Sequence, residues 1–148
     1  GLGDVYKRQG YDLITMWDVI EHLPDPQAAL RKAWEMLAPS GRLILETQNV
    51  TAPFARLMGR RWQHFKQPEH LIHLNPDSAA RLLGDCGFEV IENTSALGGK
   101  TISVDFLMER ASRVSRALGV CMQVLRPLRR VSFYANVFDE MVIVARPV

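Results

Sequence analysis

The chain has 148 residues, 47% hydrophobic and 23% charged, which suits one soluble globular domain or part of one. A formal charge of +2 and a pI near 8.7 exclude a whole-chain case for nucleic-acid binding. Cys86 and Cys121 form no CxxC pair and no apolar run nears the ~20 residues of a membrane span, so zinc knuckle, disulfide framework and transmembrane protein all drop out, and a reducing cytoplasm is the expected setting.

The first ten residues, GLGDVYKRQG, lack an initiator Met and any periodicity leading into the adjoining apolar segment. They read as a non-native or artefactual leader (1–10), with the native chain resuming near Gly10 or Tyr11 and running from 11 to 148. Residues 13–17 (LITMW) are too short for a helix and read as a buried inner strand. Asp18, Glu21 and His22 then arrive where a parallel strand would pass into a crossover helix. Ligands of open α/β sheets sit beyond the carboxyl ends of such strands.

Asp25 is placed to cap the next helix, with Pro26 at its first position and Leu30, Ala33, Trp34 and Leu37 forming one buried stripe. Pro39-Ser40-Gly41 should stop that helix, and residues 42–47 give a second strand, completing a parallel βαβ unit. A short helix is expected within 51–59. Residues 60–74 (RRWQHFKQPEHLIHL) read as a long loop of the kind that forms lids and substrate walls. Asn75-Pro76-Asp77 caps a further helix whose buried face is Ala79, Leu82, Leu83 and Cys86, with Gly87 as its stop, and residues 88–92 form a third strand. From about 102 to 130 a helical, arginine-rich segment carries a stripe of Leu107, Ala111, Val114, Leu118, Met122 and Leu125, ended by Pro127. Residues 137–145 (VFDEMVIVA) close the chain as an apolar strand.

The series DLITMWDVIEHLPDPQAALRKAWEMLAPSGRLILETQN, followed by GRRWQHFKQPEHLIHLNPDSAARLLGDCGFEV, resembles the C-terminal part of class I S-adenosylmethionine-dependent methyltransferases. Within that family it is similar to the subgroup with an EHL/EHV signature, which includes ubiquinone-type O-methyltransferases. The resemblance implies an α/β fold: a partial Rossmann-like sheet with strands in the family order 4-5-7-6, the last strand antiparallel, and strands 1–3 missing. It also implies an enzyme whose cofactor is S-adenosylmethionine, and a small-molecule acceptor such as a hydroxyl of a quinone, lipid-linked or glycan precursor. A chain without the glycine-rich turn is expected to be inactive by itself. Gly1-Leu2-Gly3-Asp4 fails as a remnant of that turn, because only a handful of residues separate it from the next strand.

Trp17, Asp18 and Val19 match the positions that line the methionine portion of the cofactor in similar enzymes. His22 is the candidate catalytic base for a hydroxyl acceptor, since imidazole titrates near neutrality; the competing role is to cap or buttress the following helix. Glu21 would orient His22, or hold a divalent ion with it, or serve as a solvated cap. Arg61, Trp62 and His70 are the candidate acceptor contacts. His70 and His73 would share a face only if that stretch were helical, and with no third ligand identifiable no metal site is assigned. The arginine-rich segment is a solvated face, or else a peripheral membrane contact; it lacks the interleaved aromatics of a nucleic-acid groove. The rival to an enzyme is a non-catalytic binding or assembly module of the same fold. A nicotinamide oxidoreductase is disfavoured by the lack of a Tyr-x-x-x-Lys pair. The sequence does not set the oligomeric state.

Overall fold

The computed structural model describes residues 10–65 and 69–148, with the backbone alone for Lys100 and Val114. The expected leader, Gly10 apart, and three residues of the long loop lie outside the described residues. In chain order the elements are β1 (Tyr11–Trp17), α1 (Pro26–Met36), β2 (Leu37–Gln48), α2 (Pro53–Met58), α3 (Pro76–Gly84), β3 (Phe88–Thr94), β4 (Lys100–Ser103), α4 (Val104–Val114), α5 (Arg116–Met122), β5 (Ser132–Ala135) and β6 (Glu140–Pro147). Short 3-10 turns cover Ile20–His22, Gly59–Arg61 and Gln123–Leu128. The chain divides into two compact units, one comprising residues up to 98 with 138–148, the other residues 99–137.

The first unit is built on a four-stranded sheet in the order β1-β2-β6-β3. β1 and β2 are parallel, and β6 runs antiparallel to both β2 and β3. This is the 4-5-7-6 order with a reversed last strand that the resemblance implies. Leu43 and Leu45 of β2 and Met141, Ile143 and Ala145 of β6 are buried at the centre. Leu30 and Ala33 of α1, and Ala79 and Leu83 of α3, belong to the same core. Full burial of a leucine or isoleucine contributes about 1.5–3 kcal/mol, so this cluster is what seats the helices on the sheet.

Local chemistry fixes the helix starts. Asp25 accepts a hydrogen bond from Ala28 N at 2.9 Å with Pro26 in the first turn. Asn75 and Ser78 form a reciprocal capping box, Ser78 N donating to Asn75 Oδ1 at 2.8 Å and Asn75 N to Ser78 Oγ at 2.9 Å. Gly87, at φ +83°, lets the chain reverse out of α3 into β3, as its expected stop role requires.

Several expectations need correction. The inner-strand reading of residues 13–17 does not hold in this chain: β1 is an edge strand among the described residues, as expected where strands 1–3 are missing, and Tyr11, Leu13 and Trp17 are each about half exposed. Trp34 is 42% exposed because α1 turns Leu30 and Ala33, not Trp34, onto the sheet. α1 ends at Met36, and Pro39-Ser40-Gly41 lies inside the span of β2, where the register with β1 shifts between Tyr11 and Leu13. A Cβ on Gly41 would sit 2.7 Å from the Tyr11 carbonyl oxygen, so that irregular crossing needs glycine. Finally, the basic helical segment expected at about 102–130 is interrupted rather than continuous. The second unit is a two-stranded antiparallel β4–β5 pair with α4, α5 and the 3-10 turn at Gln123–Leu128 between them, broken at Ser115, whose backbone is extended. The last strand also begins at Glu140 rather than Val137, since Phe138 sits at φ +59°.

Candidate functional site

The carboxyl ends of β1 and β2 and the start of β6 meet in one place, because Trp17 pairs with Glu46 and Gln48 pairs with Glu140. Beyond Trp17 the chain leaves the sheet through Asp18 at φ +50°, whose N–H still donates to Glu46 O at 3.2 Å. That kink sends residues 20–22 into a 3-10 turn over the end of β2. Ile20 turns into the core and Glu21 is driven under the turn, while His22 stays exposed.

The end of the long loop, Leu71 to Leu74, is tied to this turn and to the chain just beyond β2 by backbone hydrogen bonds. Leu71 N and Ile72 N both donate to Glu21 O, at 2.8 and 3.3 Å, and Val50 N donates to Leu74 O at 2.9 Å. Gln48 Nε2 reaches Ile72 O at 3.4 Å. The end of the loop is therefore attached to the strand ends.

Three of the chain's four histidines, His64, His70 and His73, belong to this loop, and His22 stands against His70. The His22 and His70 rings are edge to face with centroids 4.7 Å apart, His70 lies 5.8 Å from His64 and 6.3 Å from His73, and Phe65 stacks edgewise on His73 at 4.9 Å. Three buried carboxylates accompany them: Glu21, Asp139 and Glu140. Glu21 Oε2 accepts from Thr47 Oγ1 at 3.0 Å. Burial pushes the Glu21 pKa up, the nearby Asp18 adds to that, and the Thr47 hydroxyl and His22 pull the other way. Burial likewise pushes the His73 imidazole down, favouring its neutral form.

His22 Nδ1 lies 2.5 Å from Glu69 O. A carbonyl oxygen can only accept, so Nδ1 carries the proton, and the lone pair of a neutral His22 is on Nε2. An oriented imidazole with a free Nε2 is suited to take a proton or to bind a cation. One ligand atom each from Glu21, His22 and His70 lies within 4.8 Å of the others. This set joins one carboxylate with two imidazoles, a donor mix suited to a divalent ion, and the Nδ1–H bond to a backbone carbonyl is the outer-shell contact that ligating histidines use. The His70–His73 pair suggested by spacing is not what assembles. Residues 70–73 are not helical, and His70 meets His22 while His73 meets Phe65.

The other candidate residues separate. Trp17 is 51% exposed and Val19 39%, and Asp18 between them is exposed as well, so all three expected cofactor contacts are accessible. Arg61 is exposed. Trp62 is only 2% exposed, packs with Ala52 and Ala55, and donates its indole N–H to Asp139 Oδ2 at 2.8 Å. It anchors the loop and has no ring face left for an acceptor. His64 Nε2 stands 3.8 Å from Asp139 Oδ2 and 3.9 Å from Glu140 Oε1. Gly98 backs Glu140 so closely that a Cβ there would lie 2.8 Å from the Glu140 Cβ. Sequence reasoning misses Thr47, His64, Asp139 and Glu140. Their signals are the polar Thr47-Gln48-Asn49 tail of an apolar strand and two adjacent acids opening another.

A family model described as a methyltransferase domain matches residues 4–93, more than half of the chain. The ubiquinone biosynthesis O-methyltransferase of Xanthomonas oryzae pv. oryzae (strain PXO99A) is 37% identical over 67 residues, 38% of this chain and 28% of that protein. The protein of the same name from Xanthomonas euvesicatoria pv. vesicatoria (strain 85-10) is 31% identical over 98 residues, 59% of this chain and 38% of that protein. The chain thus spans well under two thirds of the length of these curated relatives. Among solved structures, a SAM-dependent methyltransferase from Thermotoga maritima aligns with a TM-score of 0.56 at 16% identity, over 96% of this chain and 58% of that one. The CcbJ methyltransferase from Streptomyces caelestis aligns with a TM-score of 0.54 at 12% identity, over 95% and 62%. At such identities the likeness is one of fold.

Proposed function

The chain belongs to the class I S-adenosylmethionine-dependent methyltransferases, and from that premise we propose that the protein it is part of methylates a hydroxyl of a small molecule, with His22 as the base. The observation that carries this reading is the His22 Nδ1–H bond to Glu69 O, which presents Nε2 as a proton acceptor beside the carboxyl end of β1. Trp17, Asp18 and Val19 would form one wall for the cofactor, which when bound supplies an electrophilic methyl on sulfonium. Methyl transfer is an in-line displacement, so the protein's work is to align donor and acceptor and exclude water. The tethered loop, which carries His70 against His22 and has Arg61 at its exposed start, would supply the acceptor side. A phenolic quinone precursor is the acceptor class we favour, on the strength of the curated relatives' names.

The test is isothermal titration of S-adenosylhomocysteine into residues 1–148 and into a version extended upstream, followed by turnover of His22→Ala in the extended protein. Binding by the extended protein alone, with turnover lost in the variant, supports the reading. A well-folded extended protein that binds no S-adenosylhomocysteine favours the binding or assembly module instead.

A second reading has its own observation, the convergence of Glu21, His22 and His70. In it these three residues hold a divalent ion, which would lower the pKa of an acceptor hydroxyl and so supply the activation otherwise asked of a base.

A further inference from the structure

Residues 99–137 carry seven Lys or Arg against two Asp or Glu, whereas the rest of the chain carries eleven against fourteen. The positive charge of the molecule is therefore a property of the second unit. Not all of it is available. In α4, Arg113 is paired with Glu109, and the Arg110 guanidinium lies 5.0 Å from the Phe106 ring centroid.

Arg126, Arg129 and Arg130 are placed differently. With Pro127 they line an open recess of about 530 Å³ at the end of the 3-10 turn, and no carboxylate borders it. Arg126 and Arg129 also border a neighbouring hollow that does contain Asp105 and Glu109. Among the described residues none of the three guanidinium groups is ion-paired. Between and beside them in sequence are Val124, Leu128 and Val131, exposed by 79%, 50% and 49%.

Three arginines lining one recess with no carboxylate among them favour a phosphate. Apolar side chains held in water next to them gain nothing from a soluble phosphate ester, but gain burial at a bilayer interface, where arginine heads meet phosphates and apolar side chains enter the acyl boundary. No helix among the described residues is long and apolar enough to cross a membrane, so the contact would be peripheral. We propose that the Arg126–Arg129–Arg130 recess and the apolar side chains beside it form a docking surface for a bilayer of anionic phospholipid.

The experiment is co-sedimentation of the 148-residue chain with phosphatidylcholine vesicles with and without phosphatidylglycerol, at an ionic strength of about 0.1 M. Binding is expected only to the anionic vesicles, weakening about fivefold for each arginine replaced by Gln and about a hundredfold for Arg126→Gln/Arg129→Gln/Arg130→Gln. Val124→Ser/Val131→Ser, which leaves the charge unchanged, is expected to weaken it several-fold. Circular dichroism of each variant confirms that the fold is retained. Equal binding to neutral vesicles, or anionic binding that survives the triple substitution, overturns the proposal. So does binding of glycerol phosphate as tight as that of the vesicles, or retention on single-stranded DNA with the vesicles left unbound.

Discussion

Thr47→Val tests whether the Glu21 carboxylate is sustained in its buried position by the hydroxyl beneath it. Thr47 is fully buried, Glu21 is 1% exposed, and their 3.0 Å contact is the one side-chain hydrogen bond Glu21 receives among the described residues. Burial raises the Glu21 pKa above 4.5, and the Thr47 hydroxyl partly offsets that rise. A folded-state pKa above the unfolded one means that stability is greatest while both states hold the proton, and is lost as pH climbs through the folded value. Removing the hydroxyl raises the folded pKa further, so the variant loses more than the parent on the alkaline side. With the carboxylate ionised, the lost charge-assisted bond should cost about 1.5–3 kcal/mol; with the acid neutral, about 0.5–1.5 kcal/mol. Urea unfolding at pH about 4 and about 8, with a chelator present, reads the difference. In a Glu21→Gln background the cost should be small and the same at both pH values, which closes the double-mutant cycle. An equal loss at both pH values in the parent background would refute the reasoning.

His22→Ala in the upstream-extended protein should lower turnover about 10²–10⁴-fold while leaving S-adenosylhomocysteine affinity essentially unchanged, measured by steady-state kinetics and calorimetry. Loss of affinity equal to the loss of turnover would instead mark His22 as a scaffold residue. Trp62→Phe keeps the ring packed on Ala52 and Ala55 but strips the N–H from buried Asp139; it should destabilise the chain by about 1–3 kcal/mol in urea unfolding, and a neutral result would remove Trp62 from its anchoring role. Glu21→Gln should be no less stable than the parent near neutral pH, since it removes a desolvated charge while leaving Thr47 an acceptor; a marked loss would show that the carboxylate contributes to folding in its own right.

What can be read from the sequence divides by range. The starts of α1 and α3 are legible to within a residue because Asp25-Pro26 and Asn75-Pro76 with Ser78 act over three or four residues. The sheet order follows from the resemblance, and β2 and β6 show as apolar runs. Trp34 misleads because helical spacing marks a stripe wide enough to include it, while the sheet takes only the Leu30 and Ala33 side of that stripe. The break at Ser115 and the β4–β5 pair are hidden by an apolar repeat that suits helix throughout, and by a pairing that joins residues about thirty positions apart. The candidate site is half legible. Asp18, Glu21 and His22 announce themselves as polar residues after a strand. Their partners come from residues 46, 47, 69 and 70, which only the sheet and the tied-down loop bring together.

That convergence forces a choice at one atom. The bond to Glu69 O occupies Nδ1 of His22 and leaves Nε2 as its one site for a proton or a cation. An imidazole that gives Nε2 to a divalent ion cannot also accept the acceptor's proton there, so the base and ligand readings make opposite predictions for the upstream-extended protein. If His22 is the base, excess Mg²⁺ or Mn²⁺ should leave turnover unchanged or inhibit it, and a chelator should have no effect. If Glu21, His22 and His70 hold an ion, a chelator should abolish turnover, the ion should restore it, and calorimetry should show ion binding that disappears in both Glu21→Gln and His70→Ala. Ion binding that persists in both variants would place the ion elsewhere and return His22 to the role of base. Glu21 is the more informative of the two substitutions, because a buried carboxylate with a raised pKa is costly to ionise unless a cation compensates it.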